Sequence, residues 1–228
     1  MNMYDVNKEK WEKGYFAPNV ESITYRLFGR ILKPDFNLPK EDTKLLDFGC
    51  GMGAAVNYFN SVGFTTKGID ISEKDINKGK EYFPDIKNSL EVVPTNPRDV
   101  DYYGWKDGID VVYACQSLYY FTKNDFYYVL NKLYDSMPVG GLFFATFKTP
   151  KQWNYYNCST PTDDPWIRKV SLNTERLNFD IYQFFVEDEE DMVSRLSLFK
   201  PLHVGYYTMQ LRNDESDGLH LSFLGIKE

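Results

Sequence analysis

Apolar positions change their spacing several times along the chain, and each change marks an element. From residue 4 to residue 33, Tyr4, Trp11, Tyr15, Ile23, Leu27 and Ile31 recur at helical intervals, and Pro34 and Pro39 are expected to close that region. Short continuous apolar runs then alternate with amphipathic stretches. Lys44–Phe48 (KLLDF) reads as a buried strand, followed by glycines and a helix to about Ser61. Thr66–Ser72 predicts a second strand and Glu73–Phe83 a second helix, with Ser72 as its N-cap. Leu90–Pro94 gives a weak third strand and Gly108–Gln116 a strong fourth. Lys123–Met137 predicts a helix with Phe126, Leu130, Leu133 and Met137 on one face, and Gly140–Phe147 a fifth strand. Apolar strands alternating with helices imply an α/β fold, a mostly parallel sheet covered on both faces.

That alternation then stops. Residues 149–182 are polar and aromatic, carry Pro150, Pro161 and Pro165, and read as an insertion. Glu187–Phe199 returns as a helix whose acidic first turn, Glu187 to Asp191, suits the helix dipole. Two last strands, within LHVGYYTMQL and LHLSFLGIKE, flank the polar turn RNDESDG and are expected to pair antiparallel. The expected organisation is a single domain: a helical cap over residues 1–39, a core over 40–148 and 183–228, and an inserted lid over 149–182.

Composition narrows the function classes. At 228 residues with a net charge of -7, the chain lacks the basic patch that nucleic acids or anionic membranes call for. Cys50, Cys115 and Cys158 are odd in number and far apart, which fits neither a disulfide framework nor a zinc cluster. Cys50 and Cys115 read as small packing residues rather than nucleophiles. No apolar run approaches ~18 residues and the N-terminus has no signal-like stretch. The expectation is a soluble cytoplasmic protein, monomer or homodimer, without metal, nucleic-acid or membrane partners.

The chemistry concentrates in DFGCGMGA, between the first strand and the first helix. Gly49, Gly51 and Gly53 remove side chains so that backbone N–H groups can approach a ligand. Asp70 ends the second strand 21 positions after Gly49, near the ~20-residue offset at which an acid meets a ribose hydroxyl pair. Spacing alone leaves the nucleotide open, because Gly49-Cys50-Gly51-Met52-Gly53-Ala54 also satisfies the dinucleotide pattern.

LLDFGCGMG followed by GIDIS resembles motif I and the next acid of class I S-adenosylmethionine-dependent methyltransferases. The resemblance extends over roughly residues 40–148 and 183–228, through DGIDVVYACQSLYYF, MPVGGLFFATF and the terminal hairpin. It implies a Rossmann-like seven-stranded, mostly parallel sheet with a reversed C-terminal strand, and S-adenosyl-L-methionine as cofactor. By the same resemblance Asp47, Gly49, Cys50, Gly51 and Gly53 would surround the methionine part. Asp70 would hold the ribose, Ile71 would pack on the adenine, and Asp99 with the Val100 amide would take the adenine amino group, with Asp101 one step away. Gln116 would lie near the methyl group and Arg26 at the cofactor carboxylate.

A hydroxyl acceptor needs a base. His203 opens the sixth strand at the far face, whereas His220 follows the hairpin turn on a reversed strand and falls at the ligand face, so His220 is the candidate catalytic residue. Tyr15, Trp153, Tyr156 and Trp166 are candidate acceptor contacts, apolar bodies with polar tips. The NPPY-type motif of many base amino-group methylases is missing at the fourth strand, where ACQSLYY stands. The expected function is methylation of a small molecule, at oxygen of a hydroxylated metabolite or sugar. The rivals are an NAD(P)-dependent Rossmann oxidoreductase and a non-catalytic cofactor-binding protein.

Overall fold

The computed structural model describes residues 2–13, 18–151, 156–173, 178–208 and 218–228. Its strands are β1 (Lys44–Phe48), β2 (Thr65–Asp70), β3 (Leu90–Val92), β4 (Val111–Ala114), β5 (Leu142–Lys148), β6 (Ser159–Pro161), β7 (Arg168–Asn173), β8 (Asn178–Gln183), β9 (Lys200–Tyr207) and β10 (His220–Ile226). The α-helices are α1 (Met3–Lys13), α2 (Ser22–Leu27), α3 (Lys33–Phe36), α4 (Ala54–Ser61), α5 (Glu73–Tyr82), α6 (Lys123–Ser136) and α7 (Glu189–Arg195). Seven strands form one sheet in the order β3-β2-β1-β4-β5-β10-β9, and β6-β7-β8 form a second. β10 runs antiparallel to both β5 and β9, so it alone is reversed in the large sheet.

Period-two alternation sends each strand's side chains to opposite faces. Leu46, Phe48, Val112, Ala114, Phe143, Ala145 and Phe147 enter one cluster with Phe126, Val129, Leu130 and Leu133 of α6 and Met192 of α7. Leu45, Val111, Tyr113, Leu142 and Phe144 enter the other with Leu27 of α2, Leu32 and Phe59 of α4. Each fully buried Leu, Val or Phe contributes roughly 1.5–3 kcal/mol, and continuous apolar strands are what a sheet covered on both sides requires.

Three expectations shift. Pro34 does not close the N-terminal helical region: α2 runs through a π turn (Phe28–Leu32) into α3, which places Pro34 in the first turn of α3. A missing N–H is tolerated there, and Asn37, left-handed at φ 51°, ends the helix instead. The fourth strand is shorter than 108–116, because Gly108 and Gln116 take φ of 71° and 56° and leave the extended ladder. The insertion contains a small antiparallel sheet with its own core of Val170, Leu172, Ile181 and Phe185, against which Trp11 of α1 packs. α1 is fastened to that sheet by Asn7, whose Nδ2 donates to the Tyr182 carbonyl (2.8 Å) while its Oδ1 accepts from the Tyr182 N–H (2.7 Å).

Candidate active site

The order of strands reverses between β1 and β4, the place where an open α/β sheet leaves a crevice at its strand ends. A cleft in two halves opens there. Trp11, Gly49, Gly51, Asp75 and Gln116 line both halves. The first adds Asp70, Ile71, Val93, Tyr103 and Phe121, with Tyr4 and Asn7 of α1 above them. The second adds Glu21 and Thr24, Asp47, Cys50 and Cys115.

The loop's shape, rather than its amides, is what it offers a ligand. Gly49, Gly51 and Gly53 have φ of 78°, 54° and 79°, a region that favours glycine. Their N–H groups are already spent: those of Gly49 and Cys50 donate to the Ile69 carbonyl (2.9 and 3.0 Å) and that of Gly53 to the Cys50 carbonyl (2.9 Å). The Gly51 N–H donates to Asp70 Oδ2 at 2.8 Å. The expectation that bare amides would cradle the ligand is therefore corrected. Closing the strand-to-helix turn consumes those donors, and the missing side chain at Gly51 leaves open space in their place.

Asp70 is held from both sides, since its Oδ1 accepts from the Ser72 N–H at 2.8 Å while Oδ2 holds Gly51. A carboxylate has about four acceptor sites, so acceptor capacity remains for a ligand hydroxyl. Burial raises the pKa of Asp70, opposed by these backbone bonds. Asp47 is buried on β1, and burial, then the charge of Asp70, hold its pKa well above the usual carboxylate range. Burial first, then Asp47 and Asp70, also raise the Cys50 thiol, and burial pushes Cys115 to about 11. Neither cysteine is a ready nucleophile.

Four acids, Glu21, Asp47, Asp70 and Asp75, line this cleft, and no lysine or arginine does among the described residues. Such a surface repels a pyrophosphate and suits a ligand of net positive charge. The N–H groups of Gly49, Cys50, Gly51 and Gly53 are also already bonded within the protein rather than free for a dinucleotide phosphate.

A methyltransferase-domain family model matches residues 21–188 of this chain. The chain belongs to the class I S-adenosylmethionine-dependent methyltransferases. An uncharacterized protein of Rickettsia prowazekii is 30% identical over 165 residues, which span 67% of this chain and 62% of that protein's own length. Among solved structures, an S-adenosylmethionine-dependent methyltransferase of Methanosarcina mazei superposes with a TM-score of 0.66 at 15% identity, covering 84% of this chain and 95% of the other. The N-methyltransferase NodS of Bradyrhizobium japonicum, in complex with S-adenosyl-L-homocysteine, gives 0.65 at 10% identity over 100% and 99% of the two chains. The CcbJ methyltransferase of Streptomyces caelestis gives 0.66 at 13% over the same shares.

S-adenosylmethionine is the methyltransferase's cofactor, and the cleft fits it: a cationic ligand meets four acids and an open Gly51. When bound, the sulfonium supplies an electrophilic methyl group, leaving the protein to position the partners and exclude water. Asp70 offers its remaining acceptor capacity, while Ile71, Tyr103 and Phe121 supply apolar walls. Trp11, Tyr4 and Asn7 keep solvent from one side.

Of the residues singled out in the sequence, Asp47, Gly49, Cys50, Gly51, Asp70, Ile71 and Gln116 meet in this cleft. Gly53 instead opens α4, where an added Cβ would strike Leu90. Asp99 lies exposed outside it, because the 3-10 turn Pro97–Asp99 faces it to solvent, where Asn96 Nδ2 donates to it at 3.1 Å. Val100 is buried in the core, and Val93, Pro94 and Thr95 line the cleft at that level. Arg26 is exposed and outside the lining: Thr24 faces the cleft, and two residues further along a helix the side chain has turned away. Trp166 and Tyr156 line a separate cleft beside α7, Trp166 packed under Arg195 and Tyr156 against Phe185. Tyr15 and Trp153 lie outside the described residues.

His220 sits at the cofactor end of the sheet, opposite Lys148 and Tyr207, though it does not line the cleft. Its Nδ1–H donates to the Gly218 carbonyl (2.8 Å), and its ring stacks on Tyr207 at 5.2 Å and 9°. Burial, then the charge of Lys148, push its pKa down to about 3, so the ring is neutral. Gln116 Nε2 donates to the Tyr207 hydroxyl at 3.0 Å, tying this group to the cleft. Tyr207, Tyr120, Phe121 and Asp75 are the neighbours that sequence reasoning missed. Nothing in their local spacing marked them, since they come together only through strand pairing and the β4 turn.

Proposed function

We propose that this methyltransferase methylates a small hydroxylated metabolite at oxygen. The observation that carries the reading is the run Gln116–Tyr207–His220 beside the cleft, neutral polar side chains joined by one hydrogen bond and one ring stack at the point where β4 and β9 end and β10 begins. In this reading Gln116 and Tyr207 hold the acceptor oxygen and His220 takes its proton. With Nδ1–H committed to Gly218, the Nε2 lone pair is the basic position. A pKa of about 3 makes a weak base, yet the hydroxyl proton becomes strongly acidic as the carbon–oxygen bond forms, so a weak base suffices late in the step. The acidic cleft, partly covered by α1, supports a small acceptor over a nucleic acid.

The test is calorimetry with S-adenosylmethionine and NAD, followed by a methyl-transfer screen over hydroxylated metabolites, amines and RNA. Binding of the first cofactor alone and transfer to a hydroxyl are expected. The variant His220→Ala should bind cofactor normally and turn over more slowly. Transfer confined to amines or RNA, or full turnover by the variant, would overturn the reading.

A further inference from the structure

Asp75 is 6% exposed, in the first turn of α5, and lines both halves of the cleft. Its backbone N–H is satisfied by the capping hydroxyl of Ser72 at 3.2 Å. Its Oδ1 is different: it is buried and has no hydrogen-bond partner. A buried carboxylate oxygen without a donor is costly, and a helix that needs only an acid in its first turn could leave that acid in solvent, as Glu73 of the same turn shows.

Asp70 supplies the second half of the argument. Two of its acceptor sites are consumed by Gly51 and Ser72, and it lies near enough to Asp75 for their charges to interact. Burial raises the pKa of Asp75, opposed by the Ser72 hydroxyl and by the charges of Lys74 and Lys78 of α5 and Lys10 of α1. Asp70 and Asp75 both line the first half of the cleft.

We propose that Asp75 is a second cofactor-binding carboxylate, whose unpartnered Oδ1 accepts a hydrogen bond from a ribose hydroxyl of the bound nucleoside alongside Asp70. This rests on S-adenosylmethionine being the cofactor. It makes sugar recognition the work of two acids from consecutive turns, Asp70 at the end of β2 and Asp75 at the start of α5. The orphaned oxygen is then the cost of a site prepared for its ligand.

The isosteric variant Asp75→Asn, measured by calorimetry on the full chain, tests this. S-adenosylmethionine and S-adenosylhomocysteine share the ribose, so both should bind about ten-fold or more weakly, by the same factor. The melting temperature of the ligand-free variant should stay the same or rise, since burial disfavours the charge that is removed. Lys10→Met is the companion variant and should not reproduce the loss. Unchanged affinity in Asp75→Asn, a loss restricted to S-adenosylmethionine, or an equal loss in Lys10→Met would overturn the proposal. Failure of the wild-type chain to bind either compound would instead remove the cofactor assignment on which it stands.

Discussion

A methyl group added at Gly49 would come within 2.5 Å of the Ser117 Cβ, whereas one added at Gly51 would meet nothing within 4 Å. Both residues have positive φ, so either alanine variant pays about 1–2 kcal/mol of backbone strain. Gly49→Ala adds a clash with the Ser117 Cβ, which cannot rotate away, and should lose roughly 2–4 kcal/mol of stability in total. Gly51→Ala should lose only the strain, while its new methyl occupies space on the floor of the cleft. Cofactor affinity should then fall about ten-fold, the equivalent of about 1.4 kcal/mol. Urea unfolding and calorimetry on the two variants should separate them, one failing in stability and the other in binding.

Among the elements, α1 bears directly on the site and is docked by a small number of side-chain hydrogen bonds together with the packing of Tyr4 and Trp11. Asn7 ties it to β8, the Lys74 ammonium of α5 donates to the Glu12 carbonyl, and Trp11 lies over both halves of the cleft. Asn7 mimics a strand neighbour, satisfying one donor and one acceptor of Tyr182 with a single side chain. Asn7→Ala removes both bonds and leaves two backbone groups to find new partners, at about 2–3 kcal/mol of local stability. Amide hydrogen exchange across Met3–Lys13 should accelerate roughly 30- to 150-fold as the helix undocks. Cofactor affinity should weaken with it, while exchange in β1 and β4 stays slow. Unchanged exchange in α1 would mean that packing of Trp11 and Tyr4 holds the helix by itself.

For the whole molecule, the pairing of β10 between β5 and β9 buries His220 and sets a pH dependence. The imidazole binds its proton with a pKa of about 3 in the folded chain and about 6.5 when unfolded. The unfolded state therefore takes up the proton first. The stability contributed by the neutral ring is complete above pH ~6.5 and declines as pH falls toward 3. Between pH 7.5 and 5 this amounts to about 2 kcal/mol. Asp47 and Asp70, with raised pKa, act in the opposite sense as pH falls, so the total curve mixes the two. A comparison isolates the histidine: wild type should lose about 2 kcal/mol more than His220→Phe between pH 7.5 and 5 in urea unfolding. Parallel losses would mean that the ring titrates normally in the folded protein.

Much of this architecture was already written in local pattern. Lys44–Phe48 is a strand as read, Ser72 caps α5, and Asp70 stands beside the glycine loop. These features depend on the spacing of a few adjacent residues, which constrains backbone and face directly. The family resemblance added the cofactor and the reversed last strand. What local pattern could not reach was decided by contacts far apart in the chain: the spent amides of the glycine loop, the sheet inside the insertion, the outward turn of Arg26 and Asp99, the burial of His220. Asp75 belongs with these, since an acid in a helix's first turn looks the same in sequence whether it faces water or a cleft. Only the docking of α1 and the crossing from β1 to β4 determine which groups a side chain meets, and desolvation and hydrogen bonding follow from that.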